Sequence, residues 1–334
     1  MNLVTGASGL LGSHIVEQLR KRNQPVRALV RPGSDRTWLQ TQGVEFAEGD
    51  VTDAASLRKA CQGVDAVYHS AARVGDWGPW EEFQAITIDG TRKMLEAASE
   101  ARVRRFLHIS SISVYGYHTK PGTIDESYDL GYKMYKWAYY TRSKVEAERI
   151  AWEYHRAGKL ELTVIRPSWL YGPRDRTSIA RQIQMVQKRK AKFLGPPDNR
   201  LNMVYAGNVA EAAIMAVGMK DAAGQAFNCS NDGELTQKQF WDLLAKAVNG
   251  PPVTTRVPYR GAYTFAFLLE CWGHLTKSRK PPFITRYAVW LMGRRAYFAA
   301  DKARQVLGWK PTVTYEVGIP MTVKWYFDNV KRDA

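Results

Sequence analysis

Along the first half of the chain, short apolar runs rich in β-branched residues alternate with stretches whose apolar positions recur every three or four residues. Residues 2–5, 26–30, 44–48, 66–70, 105–109 and 162–166 read as strands. Between the first two, Leu11, Ile15 and Leu19 repeat at spacing four, which predicts a helix over 10–22 with one buried face. Asp53, directly before the helical pattern 54–61, has the short acceptor side chain of a helix N-cap. Strand and helix alternating in this way predict βαβ units around a parallel sheet.

After Pro167 the alternation loosens into helices, loops and prolines. The predicted fold is α/β: a Rossmann-type doubly wound parallel sheet with a smaller, mostly helical C-terminal substrate lobe. Residues 1–166, with returning segments at about 202–230, are expected to form the first unit; 167–201 and 231–334 are expected to form the second. The return rests on the apolar 208–218 stretch and the strand-like 226–229. No internal repeat interrupts this plan.

The 334 residues are 45% hydrophobic and 24% charged, enough for a large core. Cys61, Cys229 and Cys271 are scattered without CxxC spacing, so neither a disulfide framework nor a zinc site is expected. The strand-like start leaves no room for a leader, and the longest apolar stretch, 262–272, falls short of the roughly 20 residues that span a bilayer. A cytoplasmic location is expected, with peripheral membrane association as an addition to it. The net charge of +16 comes without any nucleic-acid motif, so no nucleic-acid partner is expected.

The first predicted strand runs straight into Thr5-Gly6-Ala7-Ser8-Gly9-Leu10-Leu11-Gly12, which opens the first helix. In that context Gly6 permits the tight turn, Gly9 lets backbone approach a dinucleotide diphosphate, and Gly12 lets helix pack on strand. Ser8, Leu10 and Leu11 lie at the helix N-terminus, whose free N–H groups suit an anion. The spacing is G-x-x-G-x-x-G. In this the chain resembles the extended short-chain dehydrogenase/reductases of the NAD-dependent epimerase/dehydratase superfamily. The similarity continues through Gly49 to Asp53, Asp65 to Ala72, Arg166-Pro167 and Leu307 to Pro311, and so covers nearly the whole sequence.

The resemblance implies an NAD(P)-dependent oxidoreductase in which Asp50 and Val51 contact the adenine, Ala71 and Ala72 line the nicotinamide path, and Pro167 borders the cofactor. At the end of the second strand, where an acid would bond the ribose 2′-hydroxyl, stands Arg31, with Arg36 close by. An arginine pairs with a 2′-phosphate, so NADP(H) is favoured over NAD(H).

Tyr140 and Lys144 stand four residues apart, hence one turn apart on one helix face. A neighbouring ammonium favours the phenolate and suits the phenol to proton transfer. Tyr132 and Lys136 share that spacing, but only Tyr140 matches the family's Y-x-x-S-K-x-x-A-E pattern, which continues to Glu148. In the segment Ser110 to Gly116, similar to the family's S-S-x-x-V-Y-G, Ser111 is the residue expected to position a substrate oxygen; Ser110 and Ser113 are the alternatives. Thr87 replaces the asparagine common in the family's N-V-x-G-T, and its hydroxyl can bond a relay water.

Trp77 and Trp80 in the loop after the fourth strand point to an apolar substrate. This loop and the 258–300 segment resemble the 3β-hydroxysteroid dehydrogenase branch, which includes sterol 4α-carboxylate dehydrogenases and reductases of long-chain 3-keto acids. Residues 258–300 hold ten aromatics and seven Lys or Arg against one acid, Glu270, which suits a greasy substrate mouth or contact with an anionic membrane. The competing readings are a nucleotide-sugar epimerase/dehydratase, disfavoured by Leu201-Asn202 where an Arg-Asp pair is usual, and a non-catalytic NADP-binding sensor, disfavoured by the retained Tyr140 and Lys144. A homodimer is left open.

Overall fold

The computed structural model describes residues 1–118 and 121–330. Its centre is a sheet of seven strands among the described residues: β1 (Asn2–Thr5), β2 (Val26–Val30), β3 (Glu45–Glu48), β4 (Ala66–His69), β5 (Arg105–Ile109), β6 (Glu161–Pro167) and β7 (Gln225–Cys229). They are all parallel, in the order β7-β6-β5-β4-β1-β2-β3. The sheet is covered on both faces, which is why β4 and β5 are buried at every residue, Arg105, His69 and His108 included, and do not alternate apolar with polar.

On one face, α1 (Leu10–Lys21) places Leu11, Ile15 and Leu19 against Val4, Ala28 and Tyr68. The small residues of α5 (Ala206–Gly218) let it pack on the same layer, with Trp309 closing the end. On the other face lie α2 (Ala54–Cys61), α3 (Gly90–Glu100) and α4 (Tyr139–Arg156). Asp53 caps α2 by accepting from the Ala55 N–H at 3.0 Å. The helix predicted over 10–22 stops at Lys21, with Arg22 as its cap, and the strand predicted over 44–48 begins at Glu45. Both shifts fall at element ends, where one backbone hydrogen bond decides membership.

A second core gathers Tyr171, Ile183, Phe240, Trp241, Leu244 and Ile319. Next to it run α6 (Tyr259–Leu275) and α7 (Arg286–Gly293). A short strand, Ala296–Phe298, then pairs with Gly122–Ile124 beside the sheet. Strand order reverses between β1 and β4, and the crevice outside the carboxyl ends at such a reversal is where open α/β sheets bind ligands.

Candidate active site

The turn from Gly6 to Gly12 sits in that crevice. Gly6 has φ +65°, and a Cβ on Gly12 would lie 2.1 Å from the Gly6 carbonyl oxygen, so the tight contact between turn and helix admits no side chain there. Ser8 and Gly9 are exposed, Leu10 is half-buried, and Leu11 and Gly12 are buried. No side chain caps the helix start and no acid stands in its first turn, which leaves its N–H groups to a phosphate.

The neighbouring strand ends complete the cradle. Ala71 N–H donates to Thr5 Oγ1 at 3.1 Å, and Thr5 Oγ1 also meets His69 Nδ1 at 2.9 Å, so β1 and β4 are locked together under Ala71 and Ala72. Asp50 follows β3 and accepts from the backbone and hydroxyl of Thr52, while Val51 packs beneath. Pro167 closes β6 opposite Cys229 and is buried. Arg31 is exposed at the end of β2, and no ion pair forms to it among the described residues. Arg36, in contrast, is paired with Glu48 and lies over the Phe46 ring at 5.8 Å, so its charge is already engaged.

Tyr140 and Lys144 occupy the first turns of α4, on the face toward the sheet edge. Ser111 follows β5 and caps the short turn Ile112–Tyr115; its hydroxyl accepts from Ser113 N–H at 3.2 Å and lies close enough to the Tyr140 phenol to pull its pKa down. Lys144 is buried, and its Nζ donates to the Ile109 carbonyl at 2.9 Å rather than to the phenol. Burial holds the Tyr140 phenol above its ordinary value, the Ser111 hydroxyl opposes this, and the charge of Asp76 adds to it. Burial likewise pushes the Lys144 ammonium down to about 8, against the pull of Glu148. The expected lowering of the phenol by a neighbouring ammonium is therefore not the arrangement found, because the lysine reaches past Tyr140 to the end of β5.

Tyr132 and Lys136 lie before α4 begins, so spacing four carries no helical meaning there. Tyr132 is exposed and stacks on His118 with ring centroids 4.5 Å apart. Ser110 turns inward and donates to Glu148 at 2.5 Å, and Ser113 is buried in the turn. Thr87, inside a π-helical stretch Gln84–Asp89, accepts from Arg73 N–H at 3.0 Å and so anchors the loop that follows β4. The two tryptophans of that loop are engaged in packing: Trp77 Nε1 donates to the Ser278 carbonyl at 2.9 Å, and Trp80 lies under the Arg142 guanidinium at 4.9 Å.

Three features were not foreseen. Glu148 is fully buried and held by Arg166, by Ser110 and by Trp152 Nε1. Asp76 is bonded by the Thr285 hydroxyl at the start of α7. Tyr287 comes within 5.9 Å of Tyr140, ring to ring. Glu148 could have been found from the family pattern that contains it, whereas Asp76 is met by Thr285, 209 residues on, and Tyr287 comes to Tyr140 from that same remote segment, with no local signal.

A parallel sheet with this glycine turn, and a serine, tyrosine and lysine gathered beside it, defines an oxidoreductase of the extended short-chain dehydrogenase/reductase class. The chain belongs to the NAD dependent epimerase/dehydratase family, whose model matches residues 2–230. It is 32% identical to a sterol-4-alpha-carboxylate 3-dehydrogenase, decarboxylating, of Mus musculus, over 99% of this chain and 91% of that protein. It is 26% identical to a 2-alkyl-3-oxoalkanoate reductase of Shewanella oneidensis, over 95% of this chain and 84% of that one. Its fold is shared with a UDP-glucuronic acid 4-epimerase from Bacillus cereus solved in complex with NAD, at TM-score 0.78 and 21% identity, covering 100% and 98% of the two chains.

Proposed function

We propose that the protein interconverts a secondary alcohol and a ketone on a bulky, largely apolar substrate, with Tyr140 as proton donor and acceptor. The observation that supports this is Tyr140 and the buried Lys144 one turn apart on α4, with Lys144 Nζ bonded to the end of β5, where Ser111 follows and acts on the Tyr140 phenol. A nicotinamide dinucleotide, when bound, supplies or accepts the hydride. The uncapped turn from Gly6 to Gly12 would hold its diphosphate, with Asp50 and Val51 at the adenine and Ala71, Ala72 and Pro167 along the nicotinamide path. Ser111 holds the substrate oxygen, Tyr140 passes the proton to or from it, and Lys144 bonds the nicotinamide ribose. We assign NADP(H) as the preferred form, since the exposed Arg31 can pair with a 2′-phosphate.

Tyr287 meets the Tyr140 ring and packs in turn with Tyr117 and Trp290, aromatic surroundings that suit a sterol-like or long-chain substrate of the kinds named for the two relatives. A nucleotide sugar is disfavoured, because Asn202 is buried with its amide spent on Ala296 O and Phe298 N–H. On α6, Phe265, Leu268, Trp272 and Leu275 form one exposed stripe, with exposed Lys277, Arg279 and Lys280 beyond it. An apolar stripe rimmed by cations suits peripheral contact with an anionic membrane beside the substrate entrance. Among the described residues no helix is long and apolar enough to cross a membrane.

The test is NADPH consumption against panels of 3-keto steroids, 3-keto acids and nucleotide sugars. Tyr140→Phe should abolish turnover while leaving dinucleotide binding intact. Near-normal turnover by that variant, or activity confined to nucleotide sugars, refutes the reading.

A further inference from the structure

Arg294 caps the C-terminal end of α7 and is only 7% exposed, whereas its neighbour Arg295 is exposed. Its Nε and both terminal nitrogens are buried, and none meets an acceptor among the described residues. The Trp290 ring lies 4.4 Å from the guanidinium carbon. The groups that act on its charge are the phenols of Tyr259 and Tyr117, with no carboxylate among them. Asn202, which lines the same small cavity with Leu291, Ala296 and Phe298, has its amide fully engaged elsewhere. Burial pushes the guanidinium down to about 9, a large fall for a group that otherwise stays charged.

A lone buried cation is costly, and apolar residues of similar volume fill such space more stably. Three donors in a planar fork match the paired oxygens of a carboxylate or phosphate. The position of the fork is also informative. Tyr287, Trp290 and Arg294, at i, i+3 and i+7, follow one side of α7. Ring centroids are 5.9 Å apart from Tyr140 to Tyr287 and 5.8 Å from Tyr287 to Trp290, so the file leads from the proposed reaction point to the guanidinium. At about 1.5 Å per residue, the helix advances roughly 10 Å from Tyr287 to Arg294.

We propose that Arg294 receives an oxyanion, carboxylate or phosphate, carried by the substrate at the end remote from the carbon that reacts at Tyr140, past Tyr287 and Trp290. This rests on the reading of Tyr140 above and narrows it: the substrate is amphipathic, with its apolar body along Tyr287 and Trp290. Such an anion is farther from the ketone than the carboxyl of a 3-keto acid, whose carboxyl carbon is two bonds from the ketone carbon.

The test uses the full chain with NADPH bound, as wild type, Arg294→Met and Arg294→Lys. Binding of decanoate, decyl phosphate and methyl decanoate is read by thermal shift and titration. Wild type should bind at least one anion about 10-fold or more tighter than the ester, the size of one or two charge-assisted hydrogen bonds. Arg294→Met should lose that preference and Arg294→Lys keep part of it. Without ligand, Arg294→Met should melt at or above wild type, because the lone buried charge is gone. The two anions separate a carboxylate from a phosphate source. The proposal is overturned if the anions bind wild type and Arg294→Met alike, if neither binds better than the ester, or if unliganded Arg294→Met melts well below wild type. None of these readouts needs turnover. Inactivity toward 9-oxodecanoate would therefore count against the Tyr140 chemistry alone, and a failed anion preference against Arg294 alone.

Discussion

Replacing Glu148 by glutamine keeps the shape of a fully buried side chain and removes its charge. Arg166 Nε lies 3.2 Å from both carboxylate oxygens, a second guanidinium nitrogen reaches Oε1, and Nη1 donates to the Tyr115 hydroxyl at 2.7 Å. An amide in place of the carboxylate leaves Arg166 without its counter-charge. Breaking one side of a buried pair costs about 3–5 kcal/mol, a large part of the roughly 5–15 kcal/mol that holds a typical fold. There is a second consequence one helical turn away. Glu148 supports the ammonium of Lys144 against burial, which already brings that group down to about 8. Without the carboxylate, Lys144 loses its proton at lower pH, so an alkaline limb of kcat/KM set by Lys144 should move toward neutrality. Urea unfolding at pH 7 reads the first effect and a pH–rate profile the second. The double variant Glu148→Gln with Arg166→Met should recover much of the stability, since no lone charge remains. A single variant within about 0.5 kcal/mol of wild type, the ordinary scatter of surface substitutions, would refute the reasoning.

Other outcomes can be checked in the same way. Burial pushes His14 and His108 down to about 3, and holds His69 well below its ordinary value. The unfolded chain therefore binds more protons than the folded one below pH 6.5, and stability present above that pH should fall toward pH 3 by up to about 1.4 kcal/mol per pH unit per histidine. Unfolding free energies that stay flat from pH 7 to 5 would contradict this. Arg31→Ala should lower kcat/KM for NADPH about 10-fold or more and leave NADH nearly unchanged, the loss expected for a charged hydrogen bond; equal effects on both coenzymes would remove Arg31 from the 2′-phosphate. Leu268→Glu with Trp272→Glu should abolish co-sedimentation with phosphatidylserine vesicles at low salt. If wild type itself stays in the supernatant, the α6 stripe does not serve a membrane.

Much of the frame could be read locally. Most strands of the sheet are short, largely apolar runs, α1 shows its buried face at spacing four, and Asp53 announces the start of α2. Tyr140, Lys144 and the glycine turn were legible because their motifs fall within a few residues. The lowering of the Tyr140 phenol expected of Lys144 was not found, for the same reason: helical spacing puts the lysine one turn from Tyr140, but the acceptor it chooses is the carbonyl of Ile109, 35 residues earlier. The packing partners of the loop tryptophans, Ser278 for Trp77 and Arg142 for Trp80, had no local signal either, since they lie far along the chain.

The order of residues alone thus determined the alternation of elements, the parallel sheet and the segments to which phosphate-binding and proton-transfer chemistry is assigned under the proposed function, because periodicity, capping and turn formation act over one or two turns of chain. Burial and charge pairing were decided only by the tertiary structure. Arg294 and Arg295 are adjacent and chemically identical, yet one is sealed inside with no acceptor among the described residues and the other faces solvent. Desolvation and Coulomb forces depend on what surrounds a group from every direction, and most of those surroundings come from parts of the chain remote in sequence.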